Sequence, residues 1–330
     1  MADFTSRTLN YETLLTVTHD AILESGMTHD QVFTAHPVLS WFHSGNRLKI
    51  LDGGFELRQG LLYGKNSTAN WYSGHQLLDV TGQEGFTSAV FVWKQGSVSI
   101  VYSGRELRQN KGSRTKIQDL VKTKQQQSDL SLMDIIATGV FSDGTGASNN
   151  QLTGLAAMLE TTPGTTSYAS VPTANTEWRN QVAATVGNAA VNLLPNMRTV
   201  YNDCSQGKGV ASTRPDFVAT TQTVYETYEA LMTPSLRFSA KGAGDLGFTD
   251  ENIMYKNANF VWTDYATSGE LYFLNSRHVG LVVHKDANLT LSSGGFQKPA
   301  NQDSFVAQVL FMGNIVSNNR RKCGKLTGIT

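Results

Sequence analysis

Residues 60–96, GLLYGKNSTANWYSGHQLLDVTGQEGFTSAVFVWKQG, put a long polar stretch of Gly, Ser, Thr, Asn and Gln between two hydrophobic runs, with Trp71 and Tyr72 in its middle. Residues 47–63 and 86–102 on either side read as extended chain, and VFVWKQGSVSIVY alternates apolar and polar in its second half. Closed as a hairpin, the stretch has arms of about 15 residues, each reaching roughly 50 Å at about 3.3 Å per residue. A compact chain of 330 residues has a radius of gyration of only about 20 Å. Such a hairpin reaches past its own body, and a two-stranded ribbon alone in water is marginal. It needs a surface to lie on, either its own domain or another copy of the chain. Tyr63, Lys65, Trp71, Tyr72 and His75 are the candidate contact residues.

Charge and composition narrow the partners. Lys plus Arg and Asp plus Glu are 27 each, so no global field draws the chain to nucleic acid or to a membrane surface. Charged residues make up 16%, below the roughly 25% of ordinary soluble domains, and a surface of Ser, Thr, Asn and Gln suits packing against neighbours. Cys204 and Cys323 are too far apart in sequence to suggest a disulfide framework or a zinc site, and a reducing compartment is expected. The N-terminus MADFTSRTLNYETLL has no basic-then-apolar pattern, and no apolar run approaches the roughly 18 residues of a membrane span. No membrane partner is expected.

Along the chain there is no internal repeat. Residues 1–45 read as an arm with a short amphipathic helix around Leu14, Leu15, Ile22 and Leu23, followed by HPVLSWFH, where Pro37 argues against further helix. From Ser113 to Val140 the pattern is helical, capped by Ser113, with Ile117, Leu120, Val121, Leu132, Ile135 and Ile136 on one face; Gly139 and SDGTG stop it. In its middle KTKQQQS, residues 122–128, interrupts the apolar stripe, which predicts a half-exposed, bendable helix with Gln125, Gln126, Gln127 and Ser128 at the bend. NTEWRNQVA opens with an Asn or Thr cap, LPNMRTVYNDC places Pro195 in a first turn, and PDFVATTQTVYETYEALMTP reads as a strand, a Thr cap and a helix ending at Pro234. Mostly strands follow. Helices and strands are segregated, so the fold class is α+β.

Sites of chemistry are not evident. Gly60 and Gly64-Lys65 imitate a phosphate loop, but the first glycine is one position too close and Asn66 stands where Ser or Thr is needed. There is no G-x-S-x-G elbow, and the seven histidines form no H-x-x-x-H or H-x-H pair. No catalytic residue, metal or cofactor is expected. One charge cluster stands out: Arg105, Arg108, Lys111, Arg114, Lys116, Lys122 and Lys124, against Glu106 and Asp119. It reads either as a solvated helix face or as a face turned to a polyanion. Arg320, Arg321, Lys322 and Lys325 near the C-terminus add to the basic side.

The order of LDGGFELRQGLLYGKNSTANWYSG, EGFTSAVFVWKQGSVSIVYSGRELRQN, a long helix, DGTG with LTGL close behind, EWRN, PDFVATTQTVYETYEALMTP, GELYFLNSRHVGLVV and LFMGNIVSNNRRKCGKLTGI resembles major capsid proteins of tailed bacteriophages with the Hong Kong 97 fold. The resemblance covers nearly the whole chain. It implies an N-terminal arm (1–48), an extended loop (49–92), a peripheral domain (93–175) with spine helix 113–140, an axial domain (176–295) and return strands of the peripheral domain (296–330). In that family the loop lies over an adjacent subunit, axial domains surround hexamer and pentamer axes, and the spine helix, bent in the precursor shell and straighter in the mature one, lies along the interior side. The basic cluster is then expected to face packaged DNA without sequence preference. The implied partners are further copies of the chain, a portal protein and decoration proteins, and the implied location is the virion, after assembly in the host cytoplasm. Because the chain begins almost directly at the arm, a separate scaffolding protein is expected. Two other classes stay open: a nanocompartment shell of the same fold enclosing enzymes, and a hydrolase or binding protein with an unrecognised site.

Overall fold

A computed structural model describes residues 36–45, 47–62, 64–109, 120–205, 214–236, 253–292 and 295–330. In chain order the described helices of six or more residues are α1 (Pro37–His43), α2 (Gly104–Gln109), α3 (Leu120–Phe141), α4 (Ala189–Cys204) and α5 (Gln222–Leu236). The strands are β1 (Leu48–Leu51), β2 (Leu57–Leu62), β3 (Phe86–Phe91), β4 (Lys94–Ser103), β5 (Ser167–Tyr168), β6 (Val171–Pro172), β7 (Gln181–Ala183), β8 (Phe217–Thr220), β9 (Met254–Tyr255), β10 (Ala258–Trp262), β11 (Leu271–Leu274), β12 (Val279–Leu291), β13 (Ser304–Ser317) and β14 (Gly324–Leu326). Two sheets hold most of them: β1-β12-β13-β4, and β7-β14-β11-β8-β10-β9. The class is α+β, and the chain divides into two compact units.

The larger unit takes residues 35–95, 136–286 and 312–330. Its six-stranded sheet centres on β8 and β11, antiparallel with Phe217 opposite Leu274, and both strands are buried at every position. Unbroken apolar runs such as FVA and LYFL are what a strand covered on both faces requires. On α4, Leu193, Met197, Val200, Tyr201 and Cys204 recur at helical spacing and close one core with Val218, Val224, Tyr228, Phe273 and Leu326. β14, expected among the return strands after residue 296, instead pairs between β7 and β11. A second packing point explains LTGL: a Cβ on Gly154 would run into the carbonyl oxygens of Gly139, Val140 and Ser142 at the end of α3, so only glycine lets these segments approach.

The prolines behave differently from expectation. Pro37 opens α1 at the first turn, where its missing N–H costs nothing, and Val38, Trp41 and Phe42 are buried, with Trp41 stacked 4.8 Å from Phe217. This end of the expected arm is therefore part of the core; the helix expected around Leu14 to Leu23 lies outside the described residues. Pro195 sits inside α4, which begins at Ala189 under an Asn188 cap. The buried face of α4 outweighs the one backbone hydrogen bond that Pro195 removes. α5 runs two residues past Pro234. EWRN makes one 3-10 turn, Thr176–Trp178, and leads into β7 rather than a helix, because Trp178 and Asn180 are buried and fix the chain there.

The smaller unit, among described residues, is 96–135 and 287–311. Tyr102 packs between Phe305 and Phe296. α2 begins with a reciprocal cap: Ser103 N–H donates to Glu106 Oε2 at 2.9 Å and Glu106 N–H donates to Ser103 Oγ at 3.2 Å. The predicted start of the long helix at Ser113 lies outside the described residues; from Leu120 onward α3 is one helix.

Candidate interaction surfaces

The hairpin is much shorter than its sequence suggests. β2 and β3 pair from Leu57 opposite Phe91 to Leu62 opposite Phe86, a ribbon of roughly 20 Å, and residues 64–85 form no strand. The ladder stops because glycines and short polar side chains offer the backbone alternatives. Gly64 N–H meets the Gly85 carbonyl at the loop's neck, Asn66 Oδ1 accepts from Thr68, Asp79 Oδ1 accepts from Thr81, and Ser67 Oγ donates to Gln83 Oε1. Leu57, Leu61, Ala89 and Phe91 bury the ribbon's base, Phe91 meeting Tyr168 edge-on and Val90 N–H donating to the Ala169 carbonyl.

Beyond that base the apolar side chains face outward. Trp71 is 100% exposed, Leu77 94%, Val80 92% and Phe86 81%, with Leu62, Tyr72 and Leu78 also exposed. Lys65 and His75 are exposed as well, and Tyr63 lies outside the described residues. Sequence reading picked out the two central aromatics and passed over Leu77, Leu78, Val80 and Phe86, whose signal was present: apolar residues in a segment whose polar neighbours satisfy one another.

The basic cluster is partly neutralised. Arg108 pairs with Asp303 at 2.6 Å, Asp303 also takes Lys298 at 3.1 Å, and Lys124 pairs with Glu106 at 3.1 Å while donating to the Val101 carbonyl. Arg105 is exposed; Lys111, Arg114 and Lys116 lie outside the described residues, as does the Lys122 side chain. Arg108 and Lys124 thus each meet a carboxylate, one from a distant position and one from the facing turn of α2. The same holds near the C-terminus. Arg320 is fully buried and pairs with Glu160, Lys325 is buried and pairs with Glu270 at 2.7 Å, and Arg321 pairs with Glu177. The Arg320 and Lys325 pairs are internal struts, and the Arg321–Glu177 pair lies at the surface.

Across 122–128, α3 runs without interruption. Gln125, Gln126 and Gln127 are exposed, but Ser128 is buried, with its Oγ bonded back to the Lys124 carbonyl at 2.9 Å; Ser131 does the same to Gln127 at 2.8 Å. The helix is thus gripped at Lys124 and Ser128, where no apolar stripe announced it.

Among the described residues no cluster of His, Cys, Asp or Glu is placed to hold a metal, and no helix is long and apolar enough to cross a membrane. Both cysteine thiols are buried, which pushes Cys323 up to about 12 and Cys204 well above its ordinary value, so neither is a reactive thiolate.

The backbone as a whole has close counterparts. It is similar to a subunit of the cyanophage A-1(L) capsid, with a TM-score of 0.67 at 13% identity over 95% of this chain and 97% of that one. The capsid of Myoviridae phage XM1 matches with a TM-score of 0.58 at 14% identity over 98% and 99%. The chain has the Hong Kong 97-type capsid fold. The encapsulin of the holo-SrpI complex from Synechococcus elongatus PCC 7942 is also similar, with a TM-score of 0.57 at 10% identity over 93% and 92%. No protein-family model and no curated protein sequence matches the chain. Its Hong Kong 97-type fold is shared with these structures at 10–14% identity.

Proposed function

We propose that this chain is the major capsid protein of a tailed bacteriophage, a non-enzymatic subunit that assembles through hexamers and pentamers into an icosahedral shell around double-stranded DNA. The observation that carries this reading is the loop 64–85: its backbone is held by its own polar contacts while Trp71, Leu77 and Val80 are left in water. Each such side chain contributes about 1.5–3 kcal/mol when covered. A second copy of the chain supplies that cover in a shell, and solved proteins of the same fold are phage capsids. On this reading residues 49–92 are the extended loop, α3 the spine helix, roughly 176–295 the axial domain, and a portal protein and decoration proteins are the other virion partners. Contacts to DNA are sequence-blind and come from the basic residues between Arg105 and Lys124.

The similarity to an encapsulin favours a second reading, a nanocompartment that encloses cargo enzymes. Negative-stain microscopy of the purified protein tests both: uniform shells are expected, and a monodisperse monomer of 36.0 kDa overturns both. Portal and large-terminase genes beside the coding sequence separate the first from the second, which expects an enzyme gene there instead.

A further inference from the structure

A cleft of about 670 Å³ lies in the larger unit where β1 leaves the sheet and the chain turns into β2. Among the described residues β1 is an edge strand, paired with β12 on one side only, which leaves its other side open for pairing. The lining holds four cations, Arg47, Lys49, Arg58 and Arg277, against a single carboxylate, Glu56. Arg58 is taken by Glu56 at 3.2 Å, and Arg47 is spent on the Ser44 carbonyl and the Trp41 ring. Lys49 and Arg277 have no partner among the described residues, and Leu51, 41% exposed, stands beside them.

The loop carries the complementary pattern. Between residues 64 and 85 the acids are Asp79 and Glu84, both exposed; Glu84 has no described partner, and Asp79 uses one oxygen on Thr81 and keeps the other. Leu77, Leu78 and Val80 surround Asp79 and are exposed. An apolar, doubly acidic segment is thus left without cover in the same chain that leaves, among the described residues, an edge strand, an exposed leucine and two cations without partners.

We propose that the cleft beside β1 receives residues 77–84 of a second copy of this chain, which lie along the free edge of β1 with Asp79 and Glu84 against Lys49 and Arg277. This rests on the shell reading above and names the receiving surface for its loop. Strand addition to an exposed edge supplies backbone hydrogen bonds, and the charges set the register.

Two variants test it. In Asp79→Cys/Arg277→Cys, with the native cysteines buried, oxidation of assembled particles is expected to give a ladder of covalently linked chains. In Lys49→Glu/Arg277→Glu the assembled fraction at equal concentration falls about tenfold, and adding Asp79→Lys/Glu84→Lys restores it to within about threefold, because swapped charges recover the pairing. Particles that form normally but give no ladder, or a link confined within single chains, overturn the inference while leaving the shell reading intact. So does a charge reversal that assembles normally and only retains less nucleic acid, since the cleft then serves a polyanion. A wild-type protein that forms no particles overturns both.

Discussion

Arg320 carries a full charge in a site with no exposed surface, and every arm of its guanidinium is used: Nε to the Met158 carbonyl at 2.6 Å, Nη1 to the Trp178 carbonyl at 3.3 Å, and Nη2 to Glu160 Oε1 at 3.2 Å and Asn180 Oδ1 at 3.3 Å. Its face lies 4.7 Å from the Tyr168 ring centre. Burial lowers its pKa, and the Glu160 carboxylate opposes that shift. Arg320→Ala leaves that carboxylate and two carbonyls unpaired in the interior, so a loss of about 3–5 kcal/mol is expected in denaturant unfolding. A change within about 1 kcal/mol, the scale of an exposed ion pair, would show the cluster to be incidental. Glu106 and Asp303 give a residue-scale pH dependence. Partial burial works to raise the Glu106 pKa, but the Ser103 N–H and the Lys124 ammonium outweigh it and hold it below 4.5; Lys298 and Arg108 hold Asp303 below 3.8. A carboxyl with a depressed folded pKa stabilises above its unfolded value and loses that contribution as pH falls through the folded one. Protection of residues 103–109 from hydrogen exchange should therefore be flat from about pH 8 to about pH 5 and fall below about pH 4. Glu106→Gln should weaken that protection at neutral pH and flatten the acid response; an unchanged profile would assign the fall to other groups.

At the scale of elements, α3 and the loop behave in opposite ways. α3 is continuous through residues 122–128 and anchored at Lys124 and Ser128, while Ser-to-backbone bonds such as those of Ser128 and Ser131 bend helices slightly. On the capsid reading proposed above, a spine helix that straightens during maturation needs this stretch intact, so Gln126→Pro should cost about 3 kcal/mol of helix and arrest shells in a precursor form visible by cryo-electron microscopy. Normal maturation of that variant would remove residues 122–128 as the site of bending. Ser128→Leu, attractive on sequence pattern alone, should instead destabilise by overpacking a buried position. The loop needs no such integrity. Trp71→Ser with Tyr72→Ser should leave the fold unchanged by circular dichroism, because neither ring is buried in the isolated chain, yet lower shell yield or heat resistance. Assembly with unchanged yield and melting would place the contact elsewhere on the loop.

On the scale of the whole molecule, charge is balanced overall, and several cations are cancelled locally. Arg108, Lys124, Arg320, Arg321 and Lys325 each find a carboxylate within the chain. On the capsid reading proposed above, these paired cations add little fixed positive charge facing DNA, which suits contents that must be packed in and released. Mature particles should therefore lose only modest stability as salt rises, with a shallow dependence of DNA retention on salt concentration. A steep dependence, measured by nuclease accessibility of the packaged DNA across a salt series, would point to a strong basic inner face supplied by residues 110–119 and Lys122.

Local periodicity determined much of this protein. The α+β class, the core face of α4, the strand FVAT followed by its helix, the stop of α3 at SDGTG and the two extended stretches around the loop are all written in short windows, because burial on one face repeats at 2 or 3.6 residues. The polar stretch with its exposed aromatics was equally legible as a surface in need of a partner. The tertiary structure decided what depends on residues far apart in sequence. Asp303, Glu160 and Glu270 convert a basic helix face and a basic C-terminal run into ion pairs, Asn180 and Trp178 turn an apparent helix start into a buried corner, and the core holds α4 together across Pro195. The cleft between Lys49 and Arg277 belongs to the same class: charges more than two hundred positions apart become one site only when β1 pairs with β12. A charge takes its meaning from what lies within a few ångströms of it, and that distance is set by the packing of elements rather than by their order.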